Sequence, residues 1–219
     1  MEKRSWEHAV RKASAAIRAG RSANPMDWLF DNPLGPQEDF VFGVLKQSYR
    51  GDKNSACLFG YHKLNPVTVK RSANQGGPSR FSSYRSDVVL PANADDALDS
   101  PVDLLIAIEE SACDHDPALL LYLTLSFPGA TRLHHCWRES LAFAEQAFAQ
   151  ARKLPVVAIQ HHPGAVGSSN PAHVHLLVGP RQLDGTGFRG YAHDILCNEG
   201  QHILFDEWKA FRASWAGPA

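Results

Sequence analysis

The stretch Val157-Ala-Ile-Gln-His-His-Pro163, followed after a loop by Ser169-Asn-Pro-Ala-His-Val-His-Leu-Leu-Val178, is the most informative part of the chain for its architecture. Its two apolar runs have the length of β-strands, and the loop between them is rich in glycine, serine, asparagine and proline, which is typical of a hairpin. His173 and His175 are two residues apart, so both imidazoles lie on one face of the second strand.

A third imidazole is expected on the same face from the end of the first strand. Regular alternation favours His161, whereas a bulge at the strand end favours His162. Three neutral imidazoles that converge can hold a divalent metal and leave positions open for a substrate. The alternative is that these are surface histidines on an exposed sheet face, since an isolated His-x-His pair is a weak signal.

The flanking segments predict the rest of the architecture. A buried strand is expected over residues 119–127 and a long helix over 131–153. Further helices are expected from Ser100, as an N-cap followed by Pro101, to about residue 112, and over 206–215. This order predicts an α/β (α+β) fold with a mainly antiparallel sheet and helices packed on its faces.

The N-terminal quarter of the chain is less regular. An amphipathic helix is predicted over residues 5–19, a loop with a buried turn around Trp28 follows, and residues 38–48 fit either a helix or a strand. Residues 56–69 are interpreted as strand material. We therefore expect an N-terminal extension of helix and loop over residues 1–55 and the main domain over residues 56–219.

Composition limits the class of protein. The 219 residues are 44% hydrophobic and carry a net charge of −1, which fits one globular core and excludes a uniformly basic nucleic-acid coat. The charge is nevertheless segregated: residues 46–86 hold eight basic residues and one acid, and residues 87–116 hold nine acids without Lys or Arg. The basic block can neutralise several phosphates, or the two blocks can simply face each other as solvated surfaces.

Two further features bear on location. No apolar run approaches the roughly 18–20 residues that cross a bilayer, and the first residues lack the apolar centre of a signal peptide. The four cysteines are far apart, without a C-x-x-C pair, so neither a disulfide framework nor a zinc knuckle is indicated. We expect a cytoplasmic protein with no membrane insertion.

The histidine region carries a family resemblance. Asn170-Pro171 precedes the histidine pair, Arg181 follows it, and Gly187-Phe188 lies beyond. This pattern resembles the metal-binding motif of conjugative relaxases of the MobA/MobL type, which belong to the His-hydrophobic-His (HUH) class of single-strand DNA endonucleases. Gln160 and Ala172 depart from the motif and shift the first ligand to His161. With Ala107-Ile-Glu-Glu-Ser111 and the ending 204–215, the likeness covers about residues 88–216.

The resemblance implies a set of functional residues. His161 or His162, with His173 and His175, would hold a divalent metal, Mg²⁺ or Mn²⁺, and Glu109 or Glu110 would support it. The family's tyrosine nucleophile corresponds to Tyr84, because Tyr61-His-Lys-Leu64 and Ser83-Tyr-Arg-Ser-Asp87 resemble the family's nucleophile segment. Asp87 stands where the family has Gly, and the spacer to the next strand is short. Tyr61 is a lesser candidate, and a plain turn tyrosine is the alternative.

The function implied is metal-dependent, site-specific nicking and religation of single-stranded DNA at a plasmid or mobile-element transfer origin. DNA at that origin and accessory mobilization proteins are the expected partners. The residues expected to contact DNA phosphates are Arg71, Arg80, Arg85 and Arg181, with Phe81 stacking on bases.

Two other classes compete with this function. One is a relaxase-fold module that binds DNA or metal without catalysis. The other is a histidine-triad-like nucleotide hydrolase, which needs a third alternating histidine where this chain has Leu177.

Overall fold

Five strands form one antiparallel sheet in the computed structural model, which describes residues 6–15, 21–29, 37, 39–66, 82–166 and 168–217. The strands of these residues are β1 (Phe40–Lys46), β2 (Ser48–Tyr49), β3 (Asp52–Lys53), β4 (Arg85–Val89), β5 (Ala118–Phe127), β6 (Val156–His161), β7 (Ala172–Val178), β8 (Arg181–Asp184) and β9 (Gly187–Tyr191). The main sheet has the order β1-β5-β7-β6-β4, while β2-β3 and β8-β9 form two small hairpins.

Helices cover both faces of the main sheet. They are α1 (Trp6–Ala15), α2 (Ala56–Leu64), α3 (Pro101–Ser111), α4 (Leu133–Ala144) and α5 (Asn198–Ser214). A π-helical segment, Glu145–Gln150, continues α4, and short 3-10 helices occupy Pro25–Trp28, Asp96–Leu98 and Pro163–Val166. None of the described helices is both long and apolar enough to cross a bilayer.

The sheet separates two hydrophobic cores because successive strand residues point to opposite faces. Leu120, Tyr122 and Ile159 pack with α2 and α3 in one core. Leu121, Leu123 and Val174 pack with α4 and α5 in the other. Strand β5 is therefore buried on both sides and has the continuous apolar sequence of a central strand.

The predicted α+β class and its principal elements are confirmed. Strands β5, β6 and β7 lie where the hydrophobic pattern placed them, and β6 and β7 form the expected antiparallel pair with His161 opposite His173. Helix α3 begins as predicted, since the Ser100 side chain accepts a hydrogen bond from the Asp103 amide at 3.3 Å and Pro101 takes the first helical position.

Two N-terminal predictions were wrong. Residues 56–64 form α2 rather than a strand. Residues 56–60 are all buried, and a fully buried run has the same apolar pattern in a helix and in a strand. Ser55 caps the first turn of the helix by accepting a hydrogen bond from the Leu58 amide at 3.1 Å. The expected extension over residues 1–55 is not only helix and loop, since β1 pairs along its length with β5 and belongs to the main sheet.

Candidate metal centre

Three histidines meet at one end of the sheet, on the face covered by α2. His161 ends β6, and His173 and His175 lie at the start of β7. One ring nitrogen of each lies within 4.8 Å of those of the other two. His162, just beyond the end of β6, does not join this group.

Hydrogen bonds outside the cluster fix two of the three imidazoles. Nε2 of His161 lies 2.7 Å from the carbonyl oxygen of Lys63, and Nδ1 of His173 lies 2.9 Å from that of Pro171. A carbonyl oxygen only accepts, so each of these nitrogens carries the proton. Nδ1 of His161 and Nε2 of His173 are thereby left with lone pairs, in the arrangement that metal-ligating histidines adopt.

Two buried hydroxyl groups hold His175 on the side of its ring that faces the core. Its Nδ1 lies 2.8 Å from the Tyr122 hydroxyl and 3.0 Å from that of Thr124, and its Nε2 lies 3.2 Å from Nδ1 of His161. When Nδ1 donates to a hydroxyl, Nε2 faces the cluster with a lone pair. All three rings therefore have a polar partner on the side that would not bind metal.

Burial keeps the three imidazoles neutral. It lowers the pKa of His161 to about 4 and that of His175 well below its usual value, and it is also the main cause of the lowered pKa of His173. Neutral imidazole is the form that binds metal. The donor set and its hydrogen-bonded surroundings thus fit a divalent ion held by three nitrogens.

A buried lysine contacts the tyrosine hydroxyl that holds His175. Nζ of Lys63 lies 3.1 Å from the Tyr122 hydroxyl and 3.2 Å from the sulfur of Met26, and burial lowers the pKa of this amine to about 8. Sequence reasoning missed Lys63, Tyr122 and Thr124 as parts of the site. The available signal was Thr124, a buried hydroxyl residue in the mostly apolar strand β5.

Tyr84 lies at the edge of the cluster. Its amide donates to the Gln160 carbonyl at 3.0 Å, and the Ser83 amide donates to the Leu64 carbonyl at 2.9 Å. The segment therefore joins the ends of β6 and α2, next to His161 and Lys63. The Tyr84 ring is 50% exposed and packs edge-on against His162 with 5.7 Å between ring centroids.

Tyr61, the lesser nucleophile candidate, lies in α2 beside the rings of Trp6 and His62, with 6.4 and 5.9 Å between centroids. Like Tyr84 it is exposed, at 39%.

Glu109 lies away from the histidine cluster, at the start of α2. Its carboxylate accepts hydrogen bonds from the Ser55 hydroxyl at 2.6 Å and the Cys57 amide at 2.9 Å, and so caps the start of α2. Lys63, which contacts His161, is at the other end of this helix, about 10 Å away at 1.5 Å per residue. Among the residues that the structure describes, neither Glu109 nor Glu110 belongs to the metal-binding group.

The four arginines expected at DNA have different positions. The Arg181 guanidinium forms a two-pronged ion pair with buried Asp116, at 3.0 and 2.7 Å, and also donates to the Arg189 carbonyl. These bonds occupy most of its donors, and Arg181 follows the end of β7 that lies farther from the histidines. Arg85 is exposed and lies beside Tyr84. Arg71 and Arg80, like Phe81, lie outside the described residues.

Comparison with known proteins adds one likeness. No protein-family model matches the chain, and no curated protein is similar to it in sequence. The fold is similar to a solved structure that concerns the molecular basis of vancomycin resistance transfer in Staphylococcus aureus. The match covers 81% of this chain and 94% of that chain, with 17% identity and a TM-score of 0.57. At this identity the likeness shows a shared fold.

Proposed function

We propose that this protein is a relaxase-like, metal-dependent endonuclease that nicks and religates single-stranded DNA at a transfer origin of a plasmid or mobile element. The observation that carries the proposal is the cluster of His161, His173 and His175, each with an outer hydrogen-bond partner, together with exposed Tyr84, whose amide pairs with the carbonyl of Gln160, the residue before His161. The fold shared with a structure that concerns resistance transfer supports the same class.

The three histidines would hold the metal through Nδ1 of His161 and Nε2 of His173 and His175. When bound, the ion would supply positive charge against a phosphate oxygen and stabilise the charge that develops there. An all-imidazole site fits Mn²⁺ better than Mg²⁺, which prefers oxygen ligands and keeps its waters. The outer partners, Lys63, Pro171 and the Tyr122–Thr124 hydroxyls, would hold the rings in place.

Tyr84 would be the nucleophile. Its phenolic oxygen loses a proton and forms a bond to the phosphorus of the scissile phosphodiester, while the bond from phosphorus to the 3′ oxygen breaks and that oxygen takes up a proton. The resulting phosphotyrosyl bond preserves the energy of the phosphodiester. Attack by a free 3′-hydroxyl reverses the step, restores the DNA and releases Tyr84.

Metal binding is the first test, because it does not require the DNA sequence. Metal-stripped protein titrated with Mn²⁺ should show one tight site in the wild type and none in the H173A/H175A double variant. H134A/H135A removes two histidines outside the cluster and should retain the site. A wild-type protein that binds no Mn²⁺ would contradict the catalytic proposal.

Covalent attachment is the second test. A 3′-labelled, random-sequence single-stranded DNA pool incubated with the Mn²⁺-loaded protein should give a labelled adduct that survives denaturing electrophoresis. Tyr84→Phe should abolish the adduct and Tyr61→Phe should retain it. An adduct that persists in Tyr84→Phe excludes this nucleophile. Mn²⁺ and DNA binding without any adduct would identify the competing non-catalytic module.

A further inference from the structure

Exposed cations line the sheet edge next to the histidine cluster and continue onto the first turns of α4. We define the α4 cation strip by its members, Arg85, Arg132 and Arg138, all of which are exposed. Within the described parts of the chain, none of its three arginines forms a salt bridge, although ion pairs occupy Arg152, Arg181 and Arg212.

Backbone and side-chain contacts bring the members of the strip together. Arg85 lies directly opposite Gln160 in the β4–β6 pair, so the two side chains share one sheet face. Nε2 of Gln160 donates to the Leu133 carbonyl at 2.8 Å and thereby joins this face to the first turn of α4. His134 and Arg138 are four residues apart, on one side of the helix. Desolvation and then the charges of His135 and the three arginines lower the pKa of His134, so its imidazole is neutral and the arginines carry the charge of this surface.

The strip is continuous with the candidate metal centre around the edge of the sheet. The Arg85 guanidinium lies 5.4 Å from the centre of the Tyr84 ring, and that ring packs against His162. His162 follows His161 directly, just beyond the end of β6. An exposed aromatic ring between imidazole and guanidinium groups is the kind of surface on which a base stacks while cations contact the neighbouring phosphates.

We propose that single-stranded DNA engaged at the three-histidine site passes over Tyr84 and continues along the α4 cation strip on the other face of the sheet. This inference rests on the proposed function and adds the path of the DNA. Tyr84 supplies a stacking surface, and the arginines contact successive phosphates. This path requires single-stranded DNA, because the DNA bends around a sheet edge and a duplex is too stiff to follow the same path.

The test removes charge from the strip and compares it with an equal loss elsewhere. The R132Q/R138Q variant removes two exposed arginine charges. The matched control, K153Q/R189Q, removes two exposed charges near the β8–β9 hairpin, at the opposite end of the sheet. Binding of a fluorescein-labelled, mixed-sequence 30-nucleotide single strand is followed by anisotropy over a series of salt concentrations, and Mn²⁺ titration of each variant checks the fold and the metal centre.

The strip variant should bind the strand on the order of tenfold more weakly at 0.1 M salt. Its plot of log affinity against log salt should be shallower by about 1.4, at about 0.7 for each lost phosphate contact on a single strand. The control should follow the wild type in both respects. Equal affinity and slope in the strip variant, or the same loss in the control, would overturn the proposed path.

Failure of the path and failure of the function are distinguishable. If the strip variant binds like the wild type while wild-type protein still forms the Tyr84 adduct, only the path is wrong. If wild-type protein binds no single-stranded DNA, both proposals are overturned. The path is supported if the strip variant binds DNA more weakly and still binds Mn²⁺ like the wild type. The loss of DNA affinity is then caused by the removed arginine charges and not by damage to the metal centre.

Discussion

The Tyr122 hydroxyl lies 2.8 Å from Nδ1 of His175, at the base of the three-histidine cluster. The Thr124 hydroxyl lies 2.8 Å from the same tyrosine oxygen, and Nζ of Lys63 lies 3.1 Å from it. All these side chains are buried. The orientation of His175 is therefore determined by a polar group inside the core rather than by the exposed surface of the site.

Removing this hydroxyl should weaken metal binding. We expect Tyr122→Phe to lower Mn²⁺ affinity about tenfold, because outer-shell partners of ligating histidines typically contribute 10–100-fold and Thr124 remains as one partner. Calorimetric titration measures the effect. Tyr191→Phe, which removes a hydroxyl distant from the cluster, should leave affinity unchanged, and an unaltered Kd in Tyr122→Phe would refute this role.

Glu109→Gln should affect stability and not metal binding. The carboxylate caps α2 through the Ser55 hydroxyl and the Cys57 amide, so losing its charge should lower the free energy of unfolding by about 1 kcal/mol. Urea unfolding measures this change. Glu110→Gln is the neighbouring control for metal binding, and both variants should titrate with Mn²⁺ like the wild type. Loss of the metal site in a stably folded Glu109→Gln protein would restore the role first expected for this residue.

Arg181→Gln should destabilise the protein without weakening DNA binding. Its partner Asp116 is buried, and breaking a buried ion pair leaves an uncompensated charge at a cost of about 3 kcal/mol. The expected result is a lower urea midpoint with single-strand affinity unchanged for the folded fraction. R181Q/D116N, which removes both charges, should recover part of the stability. Weaker DNA binding with normal stability would contradict this assignment.

Metal-free protein should lose stability as the pH falls below the usual histidine pKa of 6.5. The pKa of His161 is lowered to about 4 by burial, so between pH 6.5 and 4 the unfolded chain binds a proton that the folded chain does not. As the pH falls through this window, the free energy of unfolding therefore decreases, by up to about 1.4 kcal/mol per pH unit for this residue. His161→Gln should flatten the slope measured by urea unfolding between pH 4.5 and 6.5, with no change in slope above pH 7. An unchanged slope in this window would argue against a neutral, buried His161.

The sequence predicts most of the sheet because its central strands have unambiguous patterns. Strand β5 is a long apolar run, and β7 places His173 and His175 on one face by alternation alone. The same alternation favoured His161 over His162, and the structure brings His161 to the other two histidines. These features depend on the two-residue period of a strand, which is local and can be recognised without knowing what packs against it.

Other elements depended on contacts that are distant in sequence. The segment forming α2 has an apolar run that fits a strand equally well, and Glu109, some fifty residues away, helps to cap it as a helix. The sequence of residues 38–48 fits either a helix or a strand, and the pairing with β5 is what makes this segment strand β1. Arg181 looked like a free cation because its partner, Asp116, lies in a different segment of the chain.

The sequence alone predicts the central antiparallel strands, places His173 and His175 on one face, favours His161 over His162 as their third partner and puts Tyr84 just before a strand. The surroundings of the three histidines depend on tertiary contacts: the Lys63 carbonyl at the end of α2, the hydroxyls of Tyr122 and Thr124, and the cations that α4 brings to the sheet edge. The physical reason is that side-chain direction along a strand follows from backbone periodicity. Hydrogen-bond partners and charge neighbours instead depend on which distant segments the packed cores bring together.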